Sequence, residues 1–102
     1  MEMTKDIAME TIATLLSDNG IKFTMDKAFG YIRAFVGRIE HFFSFSEKSV
    51  SIMSYVQVGK KEIQTSHMNK WYRDIVKIHF ENNELWIHSD DLGFFNVKMA
   101  QG

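Results

Sequence analysis

The chain contains no cysteine, so its 102 residues must be held by packing and hydrogen bonding alone, with no disulfide framework. At this length roughly two thirds of the surface of an unfolded chain can be buried. A composition of 45% hydrophobic and 25% charged residues supplies one core of that size. Nine Phe, seven Met, three Tyr and two Trp make the apolar fraction bulky. The sequence has no proline, no internal repeat, no low-complexity tract and no linker-like stretch, and it reads as a single domain over 1–102. The missing thiols also remove a thiolate nucleophile and any zinc site that needs Cys.

Periodicity sorts the chain into elements. Ile7, Ala8, Ile12, Leu15 and Leu16 fall on one helical stripe, and Asp18-Asn19-Gly20 supplies its stop signal. Ile21 to Met25 alternates apolar and polar residues as a short half-buried strand does. Val50 to Val58 alternates more loosely and predicts a second strand, closed by Gly59-Lys60-Lys61. Glu62 to Arg73 is polar with isolated large residues and reads as a functional loop or short helix. Asp74 to Phe80 and Glu84 to His88 are β-rich runs around Glu81-Asn82-Asn83, the best hairpin signal in the chain, because Asn tolerates the left-handed backbone of tight turns. In the first run Val76, Ile78 and Phe80 are expected on one face, with Ile75, Lys77 and His79 on the other. Ser89 to Gly102, with Leu92, Phe94, Phe95, Val97 and Met99, forms a last strand or a packed tail.

The segment 27–43 can be read in two ways. Phe29, Ile32, Phe35, Val36, Ile39, Phe42 and Phe43 recur every three or four residues and occupy one arc of a helix, with Asp26 placed to cap it. Gly30, Gly37 and the aromatic and β-branched content favour strand instead. The helical reading is preferred. It groups Gly30, Ala34 and Gly37 on the opposite face, and it predicts that Gly30→Ala stabilises by roughly 0.5–1 kcal/mol. The expected fold is therefore α+β, with one or two helices packed on an antiparallel sheet.

Chemistry-bearing motifs are absent. His41, His67, His79 and His88 lack the spacing that puts two imidazoles on one helical face. About the Asn82-Asn83 turn, His79 falls opposite Leu85 or Trp86, with His88 further along, so no metal site is assigned. Glu81, Glu84, Asp90 and Asp91 lack the ordered oxygen spacing of a calcium loop. Ser44, Ser46, Ser49, Ser51 and Ser54 lie in no nucleophile elbow, and the glycines form no phosphate-binding loop. No catalytic residue and no cofactor are assigned, and the chain is read as a non-enzyme.

The formal net charge of −1 gives no global attraction to nucleic acid or anionic membrane. Locally, Lys48, Lys60, Lys61, Lys70, Arg73 and Lys77 form a basic segment followed by the acidic Glu81, Glu84, Asp90 and Asp91. No apolar run is long enough to span a membrane, and the acidic N-terminus lacks the basic flank of a signal peptide, so the expected location is cytoplasmic. The order of N-terminal helix, strands and Asn69-Lys70-Trp71 before two further strands resembles that of small chaperone-like α+β domains that act as adaptors.

Elimination leaves a non-catalytic protein-binding module, an adaptor or small inhibitor, as a phage or mobile-element accessory protein is. Its contact residues are expected to be Trp71, Tyr72, Arg73 and Lys70, because Trp, Tyr and Arg are enriched at interface hot spots. The first alternative is a protein that binds single-stranded nucleic acid through Lys60, Lys61, Lys70 and Arg73, interleaved with His67, Trp71 and Tyr72. The second is a small enzyme with a dispersed active site. A homodimer is expected as well, since so many Phe and Met side chains in a small domain favour burial against a second copy, through an edge strand or the Gly30, Ala34 and Gly37 face.

Overall fold

A computed structural model describes residues 2–90 and 93–99. It contains one helix and two antiparallel sheets. Helix α1 (Lys5–Asp18) is followed by β1 (Lys22–Asp26), β2 (Tyr31–Val36), β3 (Ile39–Phe45), β4 (Ser49–Val58) and β5 (Lys61–Trp71), which pair in chain order as a five-stranded sheet. A 3₁₀ turn at Tyr72–Asp74 leads into a three-stranded sheet of β6 (Ile75–Glu81), β7 (Glu84–Ser89) and β8 (Phe94–Lys98). The single helix falls within the expected one or two; the difference is that the fold is mostly sheet, in two antiparallel sheets where one was expected.

Helix α1 begins and ends as its sequence dictates. Thr4 caps the start, its Oγ1 accepting from the Ile7 N–H at 3.3 Å. At the far end Asn19 and Gly20 turn the chain, Gly20 at φ 69°, and Ile21 N–H closes on Leu16 O at 2.9 Å. The helix buries Ala8, Met9, Ile12 and Leu16, and lies against β1, β2 and β6.

Residues 27–43 are not a helix. They are a turn, β2 and most of β3, and the helical periodicity is the product of two strands joined by a two-residue turn. Ile32 and Val36 on β2 and Ile39 and Phe43 on β3 all face the core, and their spacings of four, three and four match a helical stripe by accident of the turn length. Gly37, at φ 61°, opens that turn with Val36 opposite Ile39. Asp26 does act as a cap, but of a turn: its Oδ1 accepts from Phe29 N–H at 3.0 Å. Gly30 has φ 73°, and a Cβ there would lie 2.8 Å from Phe45 O, so the expectation that Gly30→Ala stabilises is overturned. The small-residue face disappears with the helix, since Ala34 is fully buried in the core.

Residues 62–71, read as a loop or helix, belong to the edge strand β5. Thr65 is an extra residue there: Ser54 pairs with Ser66 and Tyr55 with Gln64, a β-bulge that the Thr65 hydroxyl secures by donating to Ser54 O at 3.2 Å. The Asn82-Asn83 hairpin forms as expected, with φ of 54° and 60°. A second irregularity, at Val76 in β6, corrects the face assignment of that run. Ile75 is buried with Ile78 and Phe80 packed toward the core, while Val76 is 63% exposed. Residues 94–98 resolve the last segment as a strand; Asp91 and Leu92 lie outside the described residues.

One core joins the layers. Ile32, Ala34, Val36, Phe43, Phe45, Val50 and Ile52 from the large sheet meet Ile75, Leu85, Ile87 and Val97 from the small sheet and the buried face of α1. No helix is long and apolar enough to cross a membrane among the described residues.

Candidate partner-binding site

Trp71 ends β5, paired with Ser49, and the chain then tightens into the 3₁₀ turn. Tyr72 anchors this corner. Its N–H donates to Lys48 O at 3.0 Å and its hydroxyl to Ser46 O at 2.6 Å, so the turn between β3 and β4 is pinned to the start of the 3₁₀ turn from two directions. Burial, aided by the Asp6 carboxylate, pushes the Tyr72 phenol up to about 12, so it stays a neutral donor at physiological pH. The two flanking side chains remain in solvent. Trp71 is 48% exposed, and the Arg73 guanidinium lies 5.1 Å from the centre of its ring. Arg73 also makes a long ion pair with Asp74, at 3.9 Å.

Together these residues wall an open cleft of about 510 Å³, completed by Glu2 to Thr4 ahead of α1, by Lys5 at its first turn, and by Glu47 and Lys48. Lys5 and Lys48 form no ion pair among the described residues. The cleft offers an aromatic wall, several cations and two carboxylates, all reachable from solvent.

The other residues expected at the site fall elsewhere. Lys70 points to the opposite face of β5, where its Nζ lies 3.4 Å from Ser89 Oγ on the small sheet. Lys60 and Lys61 occupy the far turn of the β4–β5 hairpin; the ten steps from Lys61 to Trp71 span roughly 33 Å of strand. The basic segment is therefore not one continuous groove. Tyr72 is buried and acts from beneath the cleft as its anchor.

Two further clusters could not be read from the sequence. His41 is buried on β3 and bonded through both nitrogens: Nδ1 lies 2.7 Å from Ser54 Oγ and Nε2 2.9 Å from Lys98 O. A carbonyl can only accept, so Nε2 carries the proton and Nδ1 accepts from the serine hydroxyl. Desolvation holds the imidazole below its usual range, against a smaller opposing effect of the Lys98 bond. Although it pairs serine with histidine, this contact is a joint between the sheets, with both side chains shielded from solvent.

On the outer face of the small sheet, His79 pairs with Trp86 and His88 with Lys77, which places the two imidazoles diagonally. Their rings stack at 4.9 Å and 12°, flanked by Trp86 and Phe94. His79 Nδ1 and His88 Nε2 are buried without a hydrogen-bond partner among the described residues. Stacked rings aim their in-plane lone pairs side by side rather than at a common point, which does not suit chelation, and no group of three metal-ligating side chains occurs among the described residues.

No family model matches this chain, and no curated protein or solved structure matches it.

Proposed function

We propose that the chain is a non-catalytic protein-binding module, an adaptor or small inhibitor, whose partner docks in the Trp71–Arg73 cleft. The observation that carries this reading is the pairing of a rigid frame with exposed hot-spot chemistry. Trp71 is half in solvent and stacked by Arg73, yet the backbone beneath it is fixed by the β4–β5 ladder and by both bonds of Tyr72. An anchor fixed in this way loses little freedom on binding. The cytoplasm suits such a chain, since it needs no disulfide.

A single-stranded nucleic acid is the second reading, favoured by a stacking surface beside Arg73 and Lys48. The separation of Lys60 and Lys61 from this cleft restricts any such contact to a few nucleotides. Affinity capture from the native lysate, with and without nuclease, separates the two readings when the Trp71→Ala, Arg73→Ala double variant is run alongside. The expected result is a partner that survives nuclease and is lost with the variant. A partner retained by the variant rejects the cleft, and one released by nuclease rejects the protein-binding reading.

A further inference from the structure

We propose that the free edge of β8 is a second docking site, distinct from the Trp71–Arg73 cleft, which takes an extended acidic and apolar segment of a protein partner as an added strand. The argument starts from the ladder. Ser89 N–H bonds to Gly93 O at 2.9 Å and Met99 N–H to Asn83 O at 2.8 Å, so the odd-numbered residues of this strand direct their backbone groups toward β7. By the alternation of antiparallel pairing, Phe94, Asn96 and Lys98 direct theirs the other way. Among the described residues no strand pairs with β8 on that side. Among the described residues the Lys98 carbonyl alone is engaged there, by His41 Nε2, which fixes the edge in place against the large sheet.

The ground beside this edge is shaped for a strand. A cleft of about 190 Å³ runs between residues 95–98 and the inner face of the large sheet at Ile39, Ser54, Thr65 and Ser66. Past the cleft the large sheet is uncovered at one corner. Val58 is 54% and Ile63 47% exposed, while Val56 and Ile39 are half-buried, and register places Val56 between Ile39 and Ile63. A strand laid along β8 would take main-chain bonds from Asn96 and send alternate side chains onto this apolar floor.

Charge selects the occupant. Arg38, Lys60 and Lys61 surround the corner and make no ion pair among the described residues, with Glu62 as a nearby carboxylate; Lys98, across the ladder from Glu84, lies on the outer face of the small sheet. Arg38 belongs to the same corner, since its carbonyl accepts from Gln57 N–H at 3.2 Å. Unpaired cations around an apolar floor and a free strand edge fit a segment in which acidic and apolar residues alternate.

The test uses the full chain and a labelled peptide of alternating Val and Glu, with an alternating Val and Lys peptide and a single-stranded oligothymidine as comparisons, read by fluorescence anisotropy. The Val/Glu peptide is expected to bind, and to slow hydrogen exchange at the amides of Asn96 and Lys98. Asn96→Pro removes an edge N–H and no ladder bond, and is expected to weaken binding about tenfold, the worth of one lost hydrogen bond. Lys60→Glu with Lys61→Glu, at an exposed turn, is expected to reverse the preference between the two peptides. Trp71→Ala is expected to change nothing, which separates this site from the first. Absence of Val/Glu binding, binding without protection of Asn96 and Lys98, equal binding of the two peptides, or preference for the oligonucleotide would overturn the proposal.

Discussion

Replacing His41 by Leu tests how the two sheets are joined. The imidazole is only 4% exposed and satisfies two groups at once, the Ser54 hydroxyl at 2.7 Å and the Lys98 carbonyl at 2.9 Å. Leucine fills similar space but offers no bond, so both groups are left without their partner. Each orphaned group costs about 1–3 kcal/mol, and the more apolar side chain returns roughly 1–2 kcal/mol by burial. The net expectation is a loss of about 0–5 kcal/mol, centred near 2–3, in urea unfolding at pH 7.5.

The same variant carries a pH signature. Burial holds His41 below its ordinary value of 6.5 in the folded state, so the unfolded chain takes up the proton first. This contribution to stability is complete above pH 6.5 and falls away as the pH drops below it, with a slope of up to about 1.4 kcal/mol per unit until the folded state also protonates. His41→Leu lacks the titrating group and should lose this part of the acid slope. A variant more stable than the parent at pH 7.5, or one with an unchanged slope just below pH 6.5, would refute the account of the joint.

Three other outcomes are expected. Gly30→Ala should lower stability by about 1–2 kcal/mol from the left-handed backbone alone, and by more through the Phe45 O contact; an unchanged urea midpoint would show that the turn relaxes without cost. Asn83→Ala should cost about 1 kcal/mol and Asn83→Gly should not, because residue 83 sits at φ 60°; equal midpoints would argue against that turn. We also expect a homodimer through an unpaired strand edge, and sedimentation equilibrium showing only an 11.9 kDa species at every concentration would reject it.

The parts of the fold legible in the sequence are those decided locally. The α1 stripe, the Asn82-Asn83 hairpin and the alternation of β4 each depend on neighbours within a few residues. The segment 27–43 misleads because a two-residue turn shifts the phase of one strand against the next, and that shift imitates a helical repeat. β5 was hidden for a different reason. As an exposed edge strand it buries Met68 alone among its eleven residues, so it has almost no apolar alternation to detect. The Val76 bulge likewise reverses a face that strict alternation assigns the other way.

Of the candidate site, Trp71 and Arg73 were legible because they are near neighbours in the chain and chemically distinctive. The cleft they wall was not, since Glu2 to Lys5, Glu47 and Lys48 reach it from distant segments. The His41 joint is still more remote from local pattern: its partners lie 13 and 57 residues away.

The strand order has a consequence for how the chain reaches its native state. Within each sheet every strand pairs with its immediate neighbour in sequence, so the pairing steps are local hairpin closures across short turns. Two meanders can therefore form early and independently. What remains is a non-local event, the settling of the second meander and the helix onto the inner face of the first, and the residues that register it are ones such as His41 and Lys98. Substitutions at the hairpin turns should thus slow folding, whereas those at the joint should mainly hasten unfolding.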